Sequence, residues 1–445
     1  MRKYILIFLA LSLASPIATA QEKWSIADCI AYALQHHPSI SIQKESVVIR
    51  KQNYMEAIGD LLPSISTQVS AGLNFGNSRD YVTQAMTSNN TFGNQYQIAA
   101  SLMLFDGLST INRLKMARIN QTKSQNELQN SKDLLSYEIV ETYLNVNYLE
   151  ETVALAQQQV RASEENYRKA LVMEELEMNS LIETSEAKAK LAEDTYFLTQ
   201  QKNLLQIALI LLKGKLNYPL DEELAIQPIG HEYEVMPVLD LPSEVFTQAM
   251  HHLPQALIAQ NSVDADKMAF RSSKGTWYPR ISMSLGSSTN YFKYLNKKDV
   301  DAKKWSYGDQ LKDNRGEFIQ FNLSFPIFTG FNRTASVRKA KANYAIARYE
   351  QSNTVNKIYR AIEQTLADVN GQVADYQQAI DQEQAMQVAH QANARKHQEG
   401  LIDPLQLSIS ANRLLKAQIA RLKSYHVYVL KLKLYRYYKG IPYTE

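Results

Sequence analysis

The sequence predicts a mainly α-helical protein with a membrane β-barrel, built from two internal repeats of four helices and two strands each. Three features predict this architecture: recurring landmarks, segments with alternating apolar residues, and long stretches without proline. The landmarks occur in the same order in both halves: His37-Pro38 and Leu253-Pro254, Leu62-Pro63 and Tyr278-Pro279, then Phe105-Asp106-Gly107 and Phe328-Thr329-Gly330. Each repeat is therefore expected to fold in the same order of elements.

The N-terminal residues 1–20 have the pattern of a secretory signal peptide. Arg2 and Lys3 precede an apolar run, and Ala18-Thr19-Ala20 follows it as a small-residue cleavage pattern. The alternative is an uncleaved anchor, but the apolar run is shorter than the about 20 residues that a membrane-spanning helix needs. We expect the mature chain to begin near Gln21.

The first repeat is predicted to cover residues 21–213. Odd-numbered positions from Ile65 to Phe75 are mostly apolar and the even ones small or polar, which predicts a strand over about 64–76; a second strand is predicted over about 94–105. The chain then lacks proline as far as residue 173, with apolar residues seven apart such as Ile139 and Val146. This spacing predicts long, paired helices over about 106–173 and 180–213.

An irregular segment and the second repeat are predicted to follow. Residues 214–242 contain four prolines, which break the helical pattern and predict an irregular equatorial segment. The second repeat, 243–445, is predicted to contain strands over about 280–292 and 317–328, and long helices over about 329–399 and 403–437. Gly107 and Gly330 lie at the strand-to-helix corners, where a residue without a β-carbon is useful.

The predicted strands are long enough to cross a bilayer when tilted, at about ten residues each. On the first strand, Ser66, Gln68, Ser70 and Asn74 would face a polar lumen and Val69 the lipid. Four strands are too few for a wide barrel, and open strand edges are not allowed in lipid, so other copies of the chain must supply the missing strands. The alternative is a half-buried sheet in a soluble domain.

Composition and motifs favour no enzymatic, metal-binding or nucleic-acid-binding function. The 48 Lys and Arg residues nearly balance the 45 Asp and Glu, and Cys29 is the only cysteine. The pairs His36-His37 and His251-His252 lie just before a proline, which indicates helix ends rather than metal ligands. The sequence therefore predicts no catalytic residue, no metal site and no cofactor.

The ordered set of motifs resembles the TolC-like outer-membrane efflux protein family over nearly all of the mature chain. The matching segments are WSIADCIAYALQHHPSI (24–40), LLPSIS (61–66), LFDG, IFTG and EGLIDPLQLSISANRLLKAQ (399–418). The resemblance implies a homotrimer with a 12-stranded barrel in the outer membrane, continuous with a long periplasmic α-helical coiled-coil barrel.

The resemblance also implies partners and a docking tip. The implied partners are a periplasmic adaptor protein, an inner-membrane transporter of the RND or ABC type and outer-membrane lipid. The turns between the long helices would dock the adaptor, through Glu175, Leu176, Asn179, Glu399, Gly400 and Leu401. Leu176 stands where the family usually has a glycine. Gln406 stands where family members often carry a carboxylate, and it is the candidate for the lumen constriction. Acidic residues near these turns could instead form an ordinary solvated surface.

The function expected from these features is that of an exit duct in a tripartite export system. Such a duct would pass small molecules from the inner-membrane pump and the adaptor to the exterior. The alternative within this class is the outer-membrane component of a type I protein secretion system, because cargo is chosen by the inner-membrane partner. A periplasmic coiled-coil scaffold or adaptor is a more remote alternative.

Overall fold

The computed structural model describes residues 23–79, 84–88, 90–178, 180–230, 233–295 and 306–445. The predicted signal peptide, 1–20, lies outside these ranges. The helices are α1 Ile26–His36, α2 Pro38–Gly59, α3 Ser109–Glu175, α4 Leu181–Leu216, α5 Pro242–His252, α6 Pro254–Gly275, α7 Tyr307–Asp313, α8 Asn332–Gln398 and α9 Pro404–Tyr438. The strands are β1 Ser64–Asn74, β2 Asn77–Arg79, β3 Met86–Ser88, β4 Thr91–Phe105, β5 Arg280–Tyr294 and β6 Gly316–Ser324.

Helix lengths recur in the two halves of the chain. Helices α1 to α4 contain 11, 22, 67 and 36 residues, and α5, α6, α8 and α9 contain 11, 22, 67 and 35. Proline sets the boundary at the same place in both halves, since α1 ends two residues before Pro38 and α5 two residues before Pro254. No helix of the described ranges combines the length and hydropathy that crossing a bilayer requires.

The chain divides into two compact units. Of the described residues, the first contains those within 23–44, 127–256 and 355–445, and the second those within 45–126 and 257–354. The two 67-residue helices contribute to both units. The units are described separately below.

The core of the first unit follows the seven-residue spacing of the long helices. Ile139, Val146 and Val153 on α3 are buried, as are Ile362 and Val369 on α8. All of these except Val153 pack with residues of α1, α4, α5 and α9 in one hydrophobic cluster. A seven-residue spacing keeps one face of a helix towards its neighbours, which explains why these positions are the buried ones.

The segment between α4 and α5 packs against this core. Trp24 and Ile226 form a short parallel bridge, with the Trp24 N–H donating to the Ala225 carbonyl over 2.9 Å. Further along, the Met236 N–H donates to the Tyr428 hydroxyl over 3.2 Å. Irregular backbone needs such partners because it lacks the regular hydrogen bonds of a helix or sheet.

The second unit contains an antiparallel four-stranded sheet in the order β1-β4-β5-β6. Strand β6 ends at Ser324, whereas the sequence predicted a strand as far as 328. Pro326 explains the difference, because proline has no N–H for the ladder and restricts the residue before it. Strands β2 and β3 form a separate two-stranded ribbon.

Strand β4 carries a bulge near its end. Met103 pairs with Ser282, but the next recorded pair joins Phe105 to Ile281, so the register shifts by one residue between them. A bulge of this kind places two residues of one strand opposite one residue of its neighbour.

Candidate functional site

The register of the sheet separates an apolar from a polar face, because cross-strand partners lie on the same side. Val69 pairs with Tyr96, and Leu285 pairs with both Ala100 and Ile319. The opposite face carries the residues predicted to line a lumen and their partners: Ser66 with Ala99, Gln68 with Gln97, Ser70 with Gln95, and Asn74 with Thr91. The alternation continues on β5, where Ser282, Ser284 and Ser288 share the polar face.

The apolar face of the sheet is exposed, and both edges of the sheet are unpaired. Ile65 is 72 % exposed and Ile319 is 73 % exposed, at the two ends of the strand order. Among the described strands, β1 and β6 each have one neighbour in the sheet, so each presents a free row of backbone N–H and C=O groups. A large exposed apolar surface with open edges indicates that this sheet meets other molecules.

The strand-to-helix corners both use consecutive residues in the left-handed region. Gly107 and Leu108 have φ of 70° and 64°, and Gly330 and Phe331 have 58° and 66°. The two glycines differ in their surroundings. A β-carbon on Gly107 would lie 2.2 Å from the carbonyl oxygen of Gly275, whereas one on Gly330 would meet nothing within 4 Å. At the first corner the glycine is needed for close backbone contact as well as for its φ.

The two turns between long helices have the same backbone geometry. Gly400 has φ of 72°, and the Leu401 N–H donates to the Lys396 carbonyl over 2.8 Å. In the first turn Glu177 has φ of 56°, and the Met178 N–H donates to the Met173 carbonyl over 2.8 Å. These are the hydrogen bonds of helix ends closed by one left-handed residue.

The residue equivalent to Gly400 is therefore Glu177, and the prediction that Leu176 takes the position of the glycine is wrong. The sequence offered no glycine near 176, so the left-handed residue could not be identified from residue type. A glutamate in this conformation carries a strain of about 1 kcal/mol or more.

The two turns, which we call the tip, expose apolar and acidic side chains together. Leu176 is 63 % exposed, Met178 69 % and Leu401 67 %. Glu175 and Glu399 are exposed beside them. Asn179 lies outside the described residues. The apolar part of the tip also contains Leu181, Ile182 and Leu405. These three were not predicted, although apolar residues beside a turn are a signal visible in the sequence.

The polar residues after each turn cap the next helix. The Asp403 carboxylate accepts from the Gln406 N–H over 2.7 Å, and the Ser180 hydroxyl accepts from the Glu183 N–H over 3.3 Å. Asp403 therefore has a structural function at the start of α9. The Gln406 side chain is exposed.

A buried ion pair lies further along α4. The Lys190 Nζ donates to Asp194 Oδ1 over 2.7 Å and to Asn412 Oδ1 over 2.5 Å, and the side chains of Lys190 and Asp194 are 14 % and 4 % exposed. Asp194 also accepts from Gln159 over 3.1 Å and from the Ser163 hydroxyl. The spacing of four residues was visible in the sequence, but its burial depends on α3 and α9.

The histidine pairs lie at helix ends, as the sequence predicts. His36 is the last residue of α1, its Nδ1 is 2.9 Å from the Tyr32 carbonyl, and its ring stacks on the Tyr32 ring. His252 is the last residue of α5, and its Nδ1 is 3.0 Å from the Gln248 carbonyl. Within the described part of the chain, no three His, Cys, Asp or Glu residues are arranged to hold a metal ion.

Comparisons with known proteins agree with this geometry. Residues 29–172 match the family model described as outer membrane efflux protein. The outer membrane efflux protein BepC of Brucella suis is 22 % identical over 397 residues, covering 87 % of this chain and 77 % of the relative. The predicted resemblance to the TolC-like outer-membrane efflux proteins is confirmed.

Solved structures show the same TolC-like fold. The CmeC outer membrane channel of Campylobacter jejuni superposes with a TM-score of 0.79 at 14 % identity, covering 94 % of this chain and 87 % of CmeC. The outer membrane protein VceC of Vibrio cholerae gives a TM-score of 0.78 at 14 % identity, covering 94 % of this chain and 96 % of VceC.

The TolC-like family assigns a location and a general class. The predicted location, in the outer membrane with the helical part in the periplasm, is confirmed, because the matching family and the named relatives are outer-membrane proteins. Proteins of this family are channels rather than enzymes. The chain is thus similar to outer-membrane efflux channels.

Proposed function

We propose that this protein is the exit duct of a tripartite export system, passing small molecules from an inner-membrane pump and a periplasmic adaptor to the exterior. The observation that carries the proposal is the four-stranded sheet with one apolar face, one polar face and two free edges. Backbone groups in lipid must all be hydrogen-bonded, so a sheet with free edges needs further strands. Three copies would join β1 of one chain to β6 of the next and close a 12-stranded barrel.

In this homotrimer the apolar face of the sheet contacts lipid and the polar face lines water. Ser66, Gln68, Ser70 and Asn74 would then be in contact with cargo. Each chain contributes two structural repeats, 21–213 and 243–445, and the segment 214–242 forms an equatorial belt between them. The recurrence of helix lengths in the two halves supports this division.

The assembly is tested by measuring the particle mass in detergent. Light scattering coupled to size exclusion should give three chains of the mature protein per particle, after the detergent contribution is subtracted. A particle that is monomeric and stays in solution without detergent would contradict the proposal.

The assignment of the faces is tested by a matched pair of neighbouring substitutions. Val69→Arg places a charge on the apolar face, which costs about 2–4 kcal/mol at the bilayer midplane. Ser70→Arg places the same charge on the polar face, where water can solvate it. We expect Val69→Arg to lower the amount of trimer in the outer membrane and Ser70→Arg to leave it unchanged. Equal amounts for both variants would show that the faces are assigned wrongly.

We propose that the tip binds the periplasmic adaptor through its exposed apolar side chains. Leu176 and Leu401 would contribute contact area, and Glu175 and Glu399 would favour a basic surface on the partner. Asn179, Gly400 and the turn backbone complete the predicted docking site. Apolar side chains exposed at both turns are costly in water unless a partner covers them.

A cross-linking experiment in cells separates the two contributions. Leu176→Ser with Leu401→Ser should reduce adaptor cross-links at all salt concentrations, whereas Glu175→Gln with Glu399→Gln should reduce them mainly at low salt. Leu239→Ser, at an exposed leucine outside the tip, is the matched control. Unchanged cross-links in the double leucine variant would exclude the tip as the docking surface.

Gln406 is proposed as a constriction of the lumen, because it follows the second turn by one helical turn and its side chain is exposed. In a trimer, three copies would surround the axis. Gln406→Glu would add three negative charges there, and we expect the conductance of single channels in planar bilayers to become more cation-selective. Unchanged selectivity would place Gln406 away from the narrowest part of the lumen.

A further inference from the structure

A cavity of about 500 Å³ lies in the second unit, where the sheet meets the start of α3 and the ends of α2 and α6. It is lined by residues of β4, α3, α6 and β5 and by Asp60, which lies between α2 and β1. The lining includes two arginines and two methionines: Arg113, Arg280, Met103 and Met116. Its volume is within the range of about 300–1,000 Å³ that small-molecule sites occupy.

The wall of the cavity is held by direct backbone and hydroxyl contacts. The Ser109 hydroxyl donates to the Ser272 carbonyl over 2.8 Å, and the Ser272 hydroxyl donates to the Ser109 carbonyl over 3.1 Å. Gly107 and Gly275 are in such close contact that neither position has space for a β-carbon. The start of α3 is therefore fixed against the end of α6, and the cavity is formed before any ligand arrives.

The two carboxylates of the cavity already have partners. Asp106 accepts from the Thr110 N–H over 2.8 Å and from the Thr110 hydroxyl over 2.6 Å, so it caps the start of α3. Asp60 lies 3.6 Å from the Arg113 guanidinium, which also donates to the Thr110 hydroxyl over 2.9 Å. Both carboxylates therefore have partners other than Arg280.

Arg280 is the cavity's unpaired cation. Among the described residues, its guanidinium forms no hydrogen bond and no ion pair. Met103 pairs with Ser282, which lies on the polar face of the sheet. Arg280 is two residues before Ser282 on β5, so it lies on the same face. A guanidinium binds carboxylate through two parallel hydrogen bonds, and thioether side chains adapt to varied apolar shapes.

We propose that this cavity binds an amphiphile that carries one carboxylate. The carboxylate pairs with Arg280, and the hydrocarbon part lies against Met103 and Met116. A second anionic group would face the carboxylates of Asp60 and Asp106, so singly charged ligands are preferred. The interpretation of the bound molecule as cargo in transit rests on the function proposed above, whereas the binding itself does not.

Equilibrium dialysis with a water-soluble probe tests the binding. Purified full-length protein in neutral detergent is dialysed against 4-phenylbutyrate, with protein-free micelles as the blank and the uncharged 4-phenylbutanol as the control ligand. We expect saturable binding of 4-phenylbutyrate, and binding of the alcohol at least about tenfold weaker, because the alcohol cannot form the charged pair.

Substitutions identify the cavity as the binding site. Arg280→Gln should weaken 4-phenylbutyrate binding at least about tenfold, and Arg280→Glu should reverse the charge preference towards 4-phenylbutylamine. Arg271→Gln is the matched control, at an exposed arginine on α6 outside the cavity. Because Arg280 is exposed, these variants should keep the helical circular dichroism of the parent. Met103→Asp, which leaves Arg280 in place, should also weaken binding of the anion.

The inference is overturned if 4-phenylbutyrate does not saturate, if the alcohol binds equally well, or if Arg280→Gln and Arg271→Gln bind alike. Particle mass measured on the same sample separates this result from the proposed function. A trimer without binding contradicts only the inference. A monomer that binds through Arg280 contradicts only the exit-duct assembly.

Discussion

Replacing Gly107 by alanine tests the interpretation of the first strand-to-helix corner. The residue has φ of 70°, and an added β-carbon would lie 2.2 Å from the Gly275 carbonyl oxygen and 2.9 Å from the Gly275 carbonyl carbon. The contacted atoms belong to backbone, so they cannot move aside by a change of rotamer. Gly107→Ala must therefore shift the end of α6 away from the start of α3.

The expected loss of stability has two contributions, and alanine substitutions at two other glycines measure them separately. An alanine in the left-handed region costs about 1–2 kcal/mol, and forcing a close contact apart costs typically about 1–3 kcal/mol. Gly107→Ala should thus destabilise by about 2–5 kcal/mol. Gly330→Ala has only the first part, because φ is 58° and nothing lies within 4 Å. Gly275→Ala has only the second part, because its β-carbon would lie 2.6 Å from the Gly107 carbonyl oxygen at an ordinary φ.

The assay is thermal unfolding of the three variants in one detergent, followed by circular dichroism at a fixed scan rate. A fixed rate is required because large membrane assemblies unfold irreversibly and their midpoints depend on the rate. We expect Gly107→Ala to unfold at the lowest temperature, and Gly330→Ala nearest to the parent. Similar midpoints for Gly107→Ala and Gly330→Ala would refute the argument from close contact.

Three further predictions concern the first unit. Lys190→Met should destabilise by about 3–5 kcal/mol, because it leaves the buried Asp194 carboxylate without a cation, whereas Asp194→Leu should cost less, because Lys190 keeps the exposed Glu193 carboxylate at 3.2 Å. The double variant should recover most of the loss of Lys190→Met in thermal unfolding; additive losses would contradict this. Burial raises the pKa of the Cys29 thiol to about 12, so maleimide at pH 8 should label the protein only after unfolding, and rapid native labelling would be inconsistent with that environment. The side-chain hydrogen bond from Lys439 lowers the pKa of Asp240 below its usual 3.8. The stability it contributes is therefore present above about pH 3.8 and lost as the pH falls through the lower folded-state pKa. Asp240→Asn should flatten that part of an acid-unfolding curve; an unchanged curve would show that this pair does not contribute.

The spacing of apolar residues in the sequence was sufficient to predict features that depend on a single helix or strand. The seven-residue spacing predicted which face of α3 is buried, and Ile139 and Val146 are fully buried. The alternation in β1 predicted two faces, and the register places Ser70 and Val69 on opposite sides with like partners. Both patterns are direct consequences of backbone periodicity, so residue type alone reveals them.

Features that depend on distant partners could not be predicted in this way. Glu177 takes the conformation of a glycine because the helix ends of the first turn require it, and no residue type marks the position. The contact between Gly107 and Gly275 joins residues far apart in sequence, so the first glycine was explained only by its corner. The unpaired charge of Arg280 is visible only once its surroundings are known.

The bulge in β4 affects how this sheet tolerates changes in length. In a regular strand, Met103 and Phe105 would point to the same side, but the shift lets Phe105 pair with Ile281 and join the apolar face. Deleting Leu104 would restore a regular ladder while keeping every pair on either side of it. Single-residue insertions elsewhere in β4 would transfer all later side chains to the wrong side. Natural length variation in this strand should therefore concentrate at Leu104, and engineered insertions of labels or tags should be placed there.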